Sequence, residues 1–177
     1  MQFSRKALNA RWAWSTAAAF VLLVVLNLTD AALKARTGYG TADMQGVGTA
    51  WGIRVIADHW TSPPDAVLAG FALGLDYLFM PLYGAALFFG GLVALDRFAP
   101  QPGPRRRLMT LLALAPVGGA ICDAMENALQ LLMLTRGPSE TLTAFALEAT
   151  AAKYVGILIG LLLTLAALAG KLWKRKA

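Results

Sequence analysis

Four long apolar runs constrain this chain more than anything else in it, extending from about residue 14 to 33, 66 to 95, 108 to 134 and 141 to 170. About 20 apolar residues in a helix cross a hydrocarbon layer roughly 30 Å thick, and a helix satisfies its own backbone polar groups there. With 58% of its 177 residues hydrophobic and 15% charged, the chain has too little polar surface to cover a soluble globule. The expected fold is therefore all-α, an integral membrane four-helix bundle forming a single membrane domain over residues 1–177. Arg5, Lys6 and Arg11 precede the first run as in a signal peptide, but no small-x-small cleavage site follows, so that run is expected to stay as a helix.

The net charge of +6 follows topology and implies no nucleic-acid partner. Three basic residues (Arg5, Lys6, Arg11) precede span 1, four (Arg97, Arg105, Arg106, Arg107) join spans 2 and 3, and four (Lys171, Lys174, Arg175, Lys176) follow span 4. Eleven of the 16 basic residues thus share one side, and the positive-inside rule puts both termini in the cytoplasm. Compact loops and heavy use of Ala, Leu, Gly and Arg fit a bacterial inner membrane. The single cysteine, Cys122, can form no intrachain disulfide, and the single histidine, His59, cannot supply a His-rich metal site, so no metal or cofactor is expected.

Local signals mark the ends of the spans. Ser62-Pro63-Pro64-Asp65 suits a helix start, Ser139 an N-cap, and Gly137-Pro138 a helix stop. The 34–65 segment is the largest outside the spans. Within it, Trp51 and Val55 share one helical diagonal while Gly52, Ile56 and Trp60 share the next, which predicts a short interfacial helix between spans 1 and 2 with its tryptophans at headgroup depth. An irregular loop with Trp anchors is the competing reading. Residues 96–107, with three prolines and three arginines beyond Arg97, read as a stiff cytoplasmic tether.

Polar residues inside the spans are costly in lipid and normally face a bundle interior or a wet cavity. Asp123, Glu126, Asn127 and Gln130 stand at i, i+3, i+4 and i+7 and so share one helical face. Asp76, Met80 and Tyr83 share another, and Lys153 lies beside Gly156 and Gly160, a G-x-x-x-G pair that admits a neighbouring helix closely. Gly70 and Gly74 repeat that spacing on span 2. At 1.5 Å per residue from the cytoplasmic edge, Asp30, Asp76, Glu126 and Lys153 all come out about 27–30 Å up, in the outer leaflet, with Asp123 and Asn27 at about 24 Å. Asp30 and Glu148 read as end-of-helix residues reaching solvent, Tyr77 and Tyr154 as aromatic-belt residues, and His59 as polar surface. Pro81 and Pro116 lie below the charged level, where a kink would splay the outer halves.

Asp76-Tyr77-Leu78-Phe79 with Pro81 and Tyr83, then Asp123-Ala124-Met125-Glu126-Asn127, then Lys153-Tyr154, resembles a group of small four-span bacterial membrane proteins. That group carries an Asp-aromatic stretch and a Tyr on helix 2, Asp-x-x-Glu-Asn on helix 3 and Lys-Trp on helix 4; Tyr154 here replaces the Trp. The resemblance spans residues 48–160 and implies no activity. It supports treating Asp76, Tyr83, Asp123, Glu126, Asn127 and Lys153 as one ligand-binding site. Three deep carboxylates against one lysine favour a site that keeps a proton, is wet, or takes a cation or cationic headgroup. The first expectation is binding of a small amphiphile or membrane lipid. The competing ones are a structural or assembly protein whose charges fix helix packing, proton or cation transport, and a lipid-modifying enzyme. Homo-oligomerisation through the glycine faces is a further expectation.

Overall fold

A computed structural model of the protein describes residues 4–173. In chain order the elements are α1 (Arg5–Thr37), a 3-10 turn (Thr41–Gly46), α2 (Ala50–Asp58), α3 (Pro63–Phe98), α4 (Pro104–Arg136) and α5 (Glu140–Trp173). The described residues contain no strand. Helices α1, α3, α4 and α5 are each long and apolar enough to cross a membrane, so this is a multi-pass integral membrane protein with an all-α bundle fold. The basic residues Lys174, Arg175 and Lys176 lie outside the described residues.

Each helix runs a few residues beyond its apolar heart, and the termini follow from particular side chains. Pro63 and Pro64 sit in the first turn of α3, where their missing N–H groups cost nothing, and the Ser62 carbonyl accepts from the Asp65 and Ala66 N–H groups. Helix α1 stops at Gly38, whose φ of +84° lets its N–H return to the Lys34 carbonyl at 2.8 Å. Gly137 ends α4 in the same way, with φ +91° and a 3.0 Å bond to the Met133 carbonyl. Ser139 Oγ accepts from the Leu142 N–H at 3.3 Å, confirming it as the cap of α5. Pro81 and Pro116 lie inside helices that continue through them.

The chain divides into two compact units. One comprises Phe20–Met80 and Ile121–Ala152; the other comprises Pro81–Ala120 with the described parts of Met1–Ala19 and Lys153–Ala177. In the second of these the helices meet over small residues. A Cβ placed on Gly156 would lie 2.7 Å from the Ala115 carbonyl oxygen and 2.9 Å from Gly119 Cα. Helices α4 and α5 therefore touch backbone to backbone, as the G-x-x-x-G spacing predicts. Gly160 packs in the same unit against Leu87 of α3 and Pro116 of α4. At another corner of this unit Arg106 donates to the Ala99 carbonyl at 2.9 Å and so ties the 99–103 connection to α4.

The first unit is built around Leu33, Met44, Ile53, Ile56, Trp60, Ala69, Met133 and Ala146. The short helix expected between spans 1 and 2 is present as α2, and it turns Ile53 and Ile56 into this core. Its two tryptophans part company. Trp51 is exposed, whereas Trp60 is 4% exposed and donates its indole N–H to the Tyr39 carbonyl at 3.0 Å. Trp60 is thus a core residue, which corrects the expectation of two headgroup anchors. His59 is exposed, as expected, and packs edge-on against Tyr39.

Three other expectations need correction. Asp30 does not simply reach solvent: its carboxylate accepts from Thr41 Oγ1 and the Ala42 N–H, both at 3.0 Å, holding the 3-10 turn onto α1. Asn27 faces outward and donates to the Leu23 carbonyl of its own helix at 2.7 Å. Gly70 and Gly74 are exposed with no neighbouring atom among the described residues where a Cβ would stand, so this second G-x-x-x-G pair joins no other described helix.

The same turn carries a pH-sensitive tie. Lys34 Nζ donates to Asp43 Oδ1 at 2.8 Å, and the Gly40 N–H donates to Oδ2 at 2.7 Å. The lysine hydrogen bond is the main reason the Asp43 carboxyl is held below its ordinary range. Because the folded value is depressed, the tie is at full strength above the ordinary aspartate pKa of about 4 and is lost as pH falls through the lower folded value. The Gly40 amide resonance should therefore titrate with a midpoint below about pH 4, and Lys34→Met should move that midpoint upward. An unchanged midpoint in the variant would contradict the assignment.

Candidate functional site

Helix α4 positions most of the polar residues that the spacing singles out. Its 3.6-residue period brings Asp123, Glu126, Asn127 and Gln130 to one face, and they are 3%, 0%, 1% and 1% exposed. Ile121, Met125 and Leu131, at intervening positions of the same helix, are exposed apolar residues. Four hydrogen-bonding side chains are thus withdrawn together while the apolar ones face outward, the inverse of a soluble helix.

The first link runs from α4 to α3. Asn127 Nδ2 donates to Asp76 Oδ2 at 2.9 Å and to the Leu73 carbonyl at 3.3 Å. Since a backbone carbonyl only accepts, the amide orientation follows from chemistry: NH2 toward Leu73 and Asp76, Oδ1 away. Asn127 Oδ1 is itself buried and receives no hydrogen bond from the described residues. The second link lies within α4, where Gln130 Nε2 donates to Glu126 Oε1 at 2.8 Å. Tyr77 is exposed, in keeping with a belt position, and its hydroxyl donates to the Ala124 carbonyl at 3.2 Å.

Asp76, Asp123, Glu126 and Asn127, expected as site residues, therefore belong to one unit, with Asp76 half-buried and the other three buried. Tyr83 and Lys153, also expected there, are buried in the other unit at 6% and 4% exposure. Lys153 Nζ lies 5.2 Å from the ring centroid of Tyr154, a cation–π distance. Gln130 lies outside the expected binding set although its i+7 position marks it as a member of the stripe. Its burial and its bond to Glu126 make it part of the arrangement. Leu73 had no side-chain signal at all, since it takes part through its backbone.

Other buried polar residues nearby answer to their own helices. Thr143 donates to the Ser139 carbonyl at 2.9 Å and Thr150 to the Ala146 carbonyl at 2.9 Å. They need no ligand. Among the described residues no group of three or more His, Cys, Asp or Glu side chains is placed to hold a metal ion. The set formed by Asp76, Asp123, Glu126, Asn127 and Gln130 can accept hydrogen bonds, carry or exchange protons and attract a cation. It contains no Ser, Cys or Lys that would serve as a nucleophile. No known protein family, curated protein or solved structure matches the chain.

Proposed function

We propose that this protein binds a small amphiphile or membrane lipid through the buried polar face of α4. The observation that carries the reading is the complete burial of four hydrogen-bonding side chains, Asp123, Glu126, Asn127 and Gln130, on one face of a membrane-crossing helix. Such residues are expensive in lipid and are retained where they meet a partner, a proton or a substrate. The positive-inside bias supports cytoplasmic termini in a bacterial inner membrane, and with that orientation the residue count along the helices supports an outer-leaflet position for this face. The order of the Asp-aromatic, Asp-x-x-Glu-Asn and Lys-aromatic elements supports grouping the chain with the four-span bacterial proteins it resembles. Tyr83 and Lys153 do not enter this proposal.

A second reading is favoured by one observation, the Asn127 to Asp76 bond joining α4 to α3: the polar face sets helix register and does nothing else. The two readings differ in what the purified protein retains. Mass spectrometry of lipids and small molecules bound to the wild type and to Glu126→Gln, at matched folded fraction, separates them. A specific amphiphile carried by the wild type and depleted in the variant is the expected result. Bulk lipid alone in both would leave the register role.

A further inference from the structure

At the far end of α3, in the unit that does not contain the polar face, one charged side chain stands without a protein partner. Arg97 lies in the last turn of the helix and is half-buried. Its guanidinium rests against the backbone of α5 at Gly170, where a Cβ would come 2.8 Å from Cζ and 3.1 Å from Cδ. The Phe98 ring centroid lies 5.8 Å from Cζ. A glycine and an aromatic ring therefore seat the guanidinium, and neither accepts a hydrogen bond from it. No hydrogen bond or ion pair joins Arg97 to a described residue. An arginine at a helix C-terminus commonly donates to the last carbonyls. Here Arg106 does so instead, donating to the Ala99 carbonyl at 2.9 Å and facing Asp96 at 3.4 Å. Asp96 is the only acidic residue in the three segments that hold eleven of the 16 basic ones, so nothing else in those segments is available to neutralise Arg97.

The missing partner is an anion with at least two oxygens, because a guanidinium presents its N–H groups as a planar fork that matches carboxylate or phosphate. Position narrows the choice. Arg97 stands where the apolar run of α3 ends, at headgroup level, and it is open enough to be reached from the membrane surface without a cavity. Phosphodiesters are the anions concentrated there. A zwitterionic headgroup would bring a cation of its own among the basic residues, whereas a net anionic one would not. We propose that Arg97 holds the phosphate of an anionic phospholipid headgroup. Free phosphate carries the same oxygens, and the test separates the two sources. The proposal is independent of the amphiphile reading of the α4 face.

The test is native mass spectrometry of the full-length protein in detergent, offered dimyristoyl phosphatidylglycerol and dimyristoyl phosphatidylcholine in equal amounts. The wild type should retain the glycerol lipid about tenfold over the choline lipid. Arg97→Gln should bring the two to within about twofold, and Arg97→Lys, which keeps the charge without the fork, should lose most of the preference as well. Arg105→Gln removes the same charge from an exposed neighbour and should leave the preference within about twofold of wild type. Absence of a preference in the wild type would overturn the proposal whether or not the variants fold. Equal losses in Arg97→Gln and Arg105→Gln, or a full preference in Arg97→Lys, would replace the site by a diffuse positive field. Inorganic phosphate, added at matched ionic strength, should not displace the lipid; displacement would assign the site to soluble phosphate and overturn the lipid source.

Discussion

Gln130→Leu is expected to lower stability by about 1–3 kcal/mol, the usual loss when one partner of a buried hydrogen bond is removed and the other stays. The two side chains are similar in size, so volume contributes little. What disappears is the amide that donates to Glu126 Oε1 at 2.8 Å, in a place where Gln130 is 1% and Glu126 0% exposed. Replacing both partners is a different matter, since neither side of this hydrogen bond is then left buried without the other. The double variant Glu126→Leu with Gln130→Leu should cost less than the sum of the two single losses, by about 1 kcal/mol or more. Equilibrium unfolding in mixed detergent micelles measures both. Losses that simply add would show that the two residues are not coupled. The double variant also separates stability from binding, because a folded protein without Glu126 should carry no specific amphiphile.

Gly156→Val should be damaging for a wholly different reason. A Cβ at this position meets the Ala115 carbonyl oxygen at 2.7 Å and Gly119 Cα at 2.9 Å, both backbone atoms that no rotamer change can move. Helices α4 and α5 would have to separate, at a cost of about 1–3 kcal/mol of overpacking. Gly74→Val, at the same spacing motif on α3, meets nothing within 4 Å and should change stability far less. The same micelle unfolding assay checks the pair. Equal effects at the two glycines would contradict the backbone contact between α4 and α5.

These two glycines also show where sequence reading stops. The G-x-x-x-G spacing states that a helix can be approached closely, and it says the same at Gly70 and Gly74 as at Gly156 and Gly160. Only the presence of a complementary small surface on a neighbour, Ala115 and Gly119 on α4, decides which pair is used. The α4 stripe was legible because its four polar residues repeat at the helical period inside an apolar run, and that period alone puts them on one face. Depth was legible as well, yet depth carries no direction. Asp30 comes out level with Asp76 and Glu126, but its carboxylate turns to Thr41 and Ala42, partners whose path after Gly38 no periodicity describes. The spacing over Trp51 to Trp60 predicts the helix but not which of its residues face inward. Ile53 with Ile56 sets the buried side, and Trp60, just past the end of α2, is drawn in by the Tyr39 carbonyl. Leu73 illustrates the remaining gap, because a carbonyl that orients an amide leaves no trace in side-chain pattern.

The central claim is that an amphiphile occupies the buried polar face of α4 itself. Photolabelling with a single-chain lipid analogue carrying a diazirine beside its headgroup, followed by peptide mapping, tests this most directly. Labelling that is saturable, is competed by the same lipid without the diazirine and falls on Asp76 and the 123–130 stretch is the predicted result. Labelling confined to outward-facing residues such as Phe20, Val67 and Leu158, proportional to probe concentration and indifferent to competitor, would contradict it.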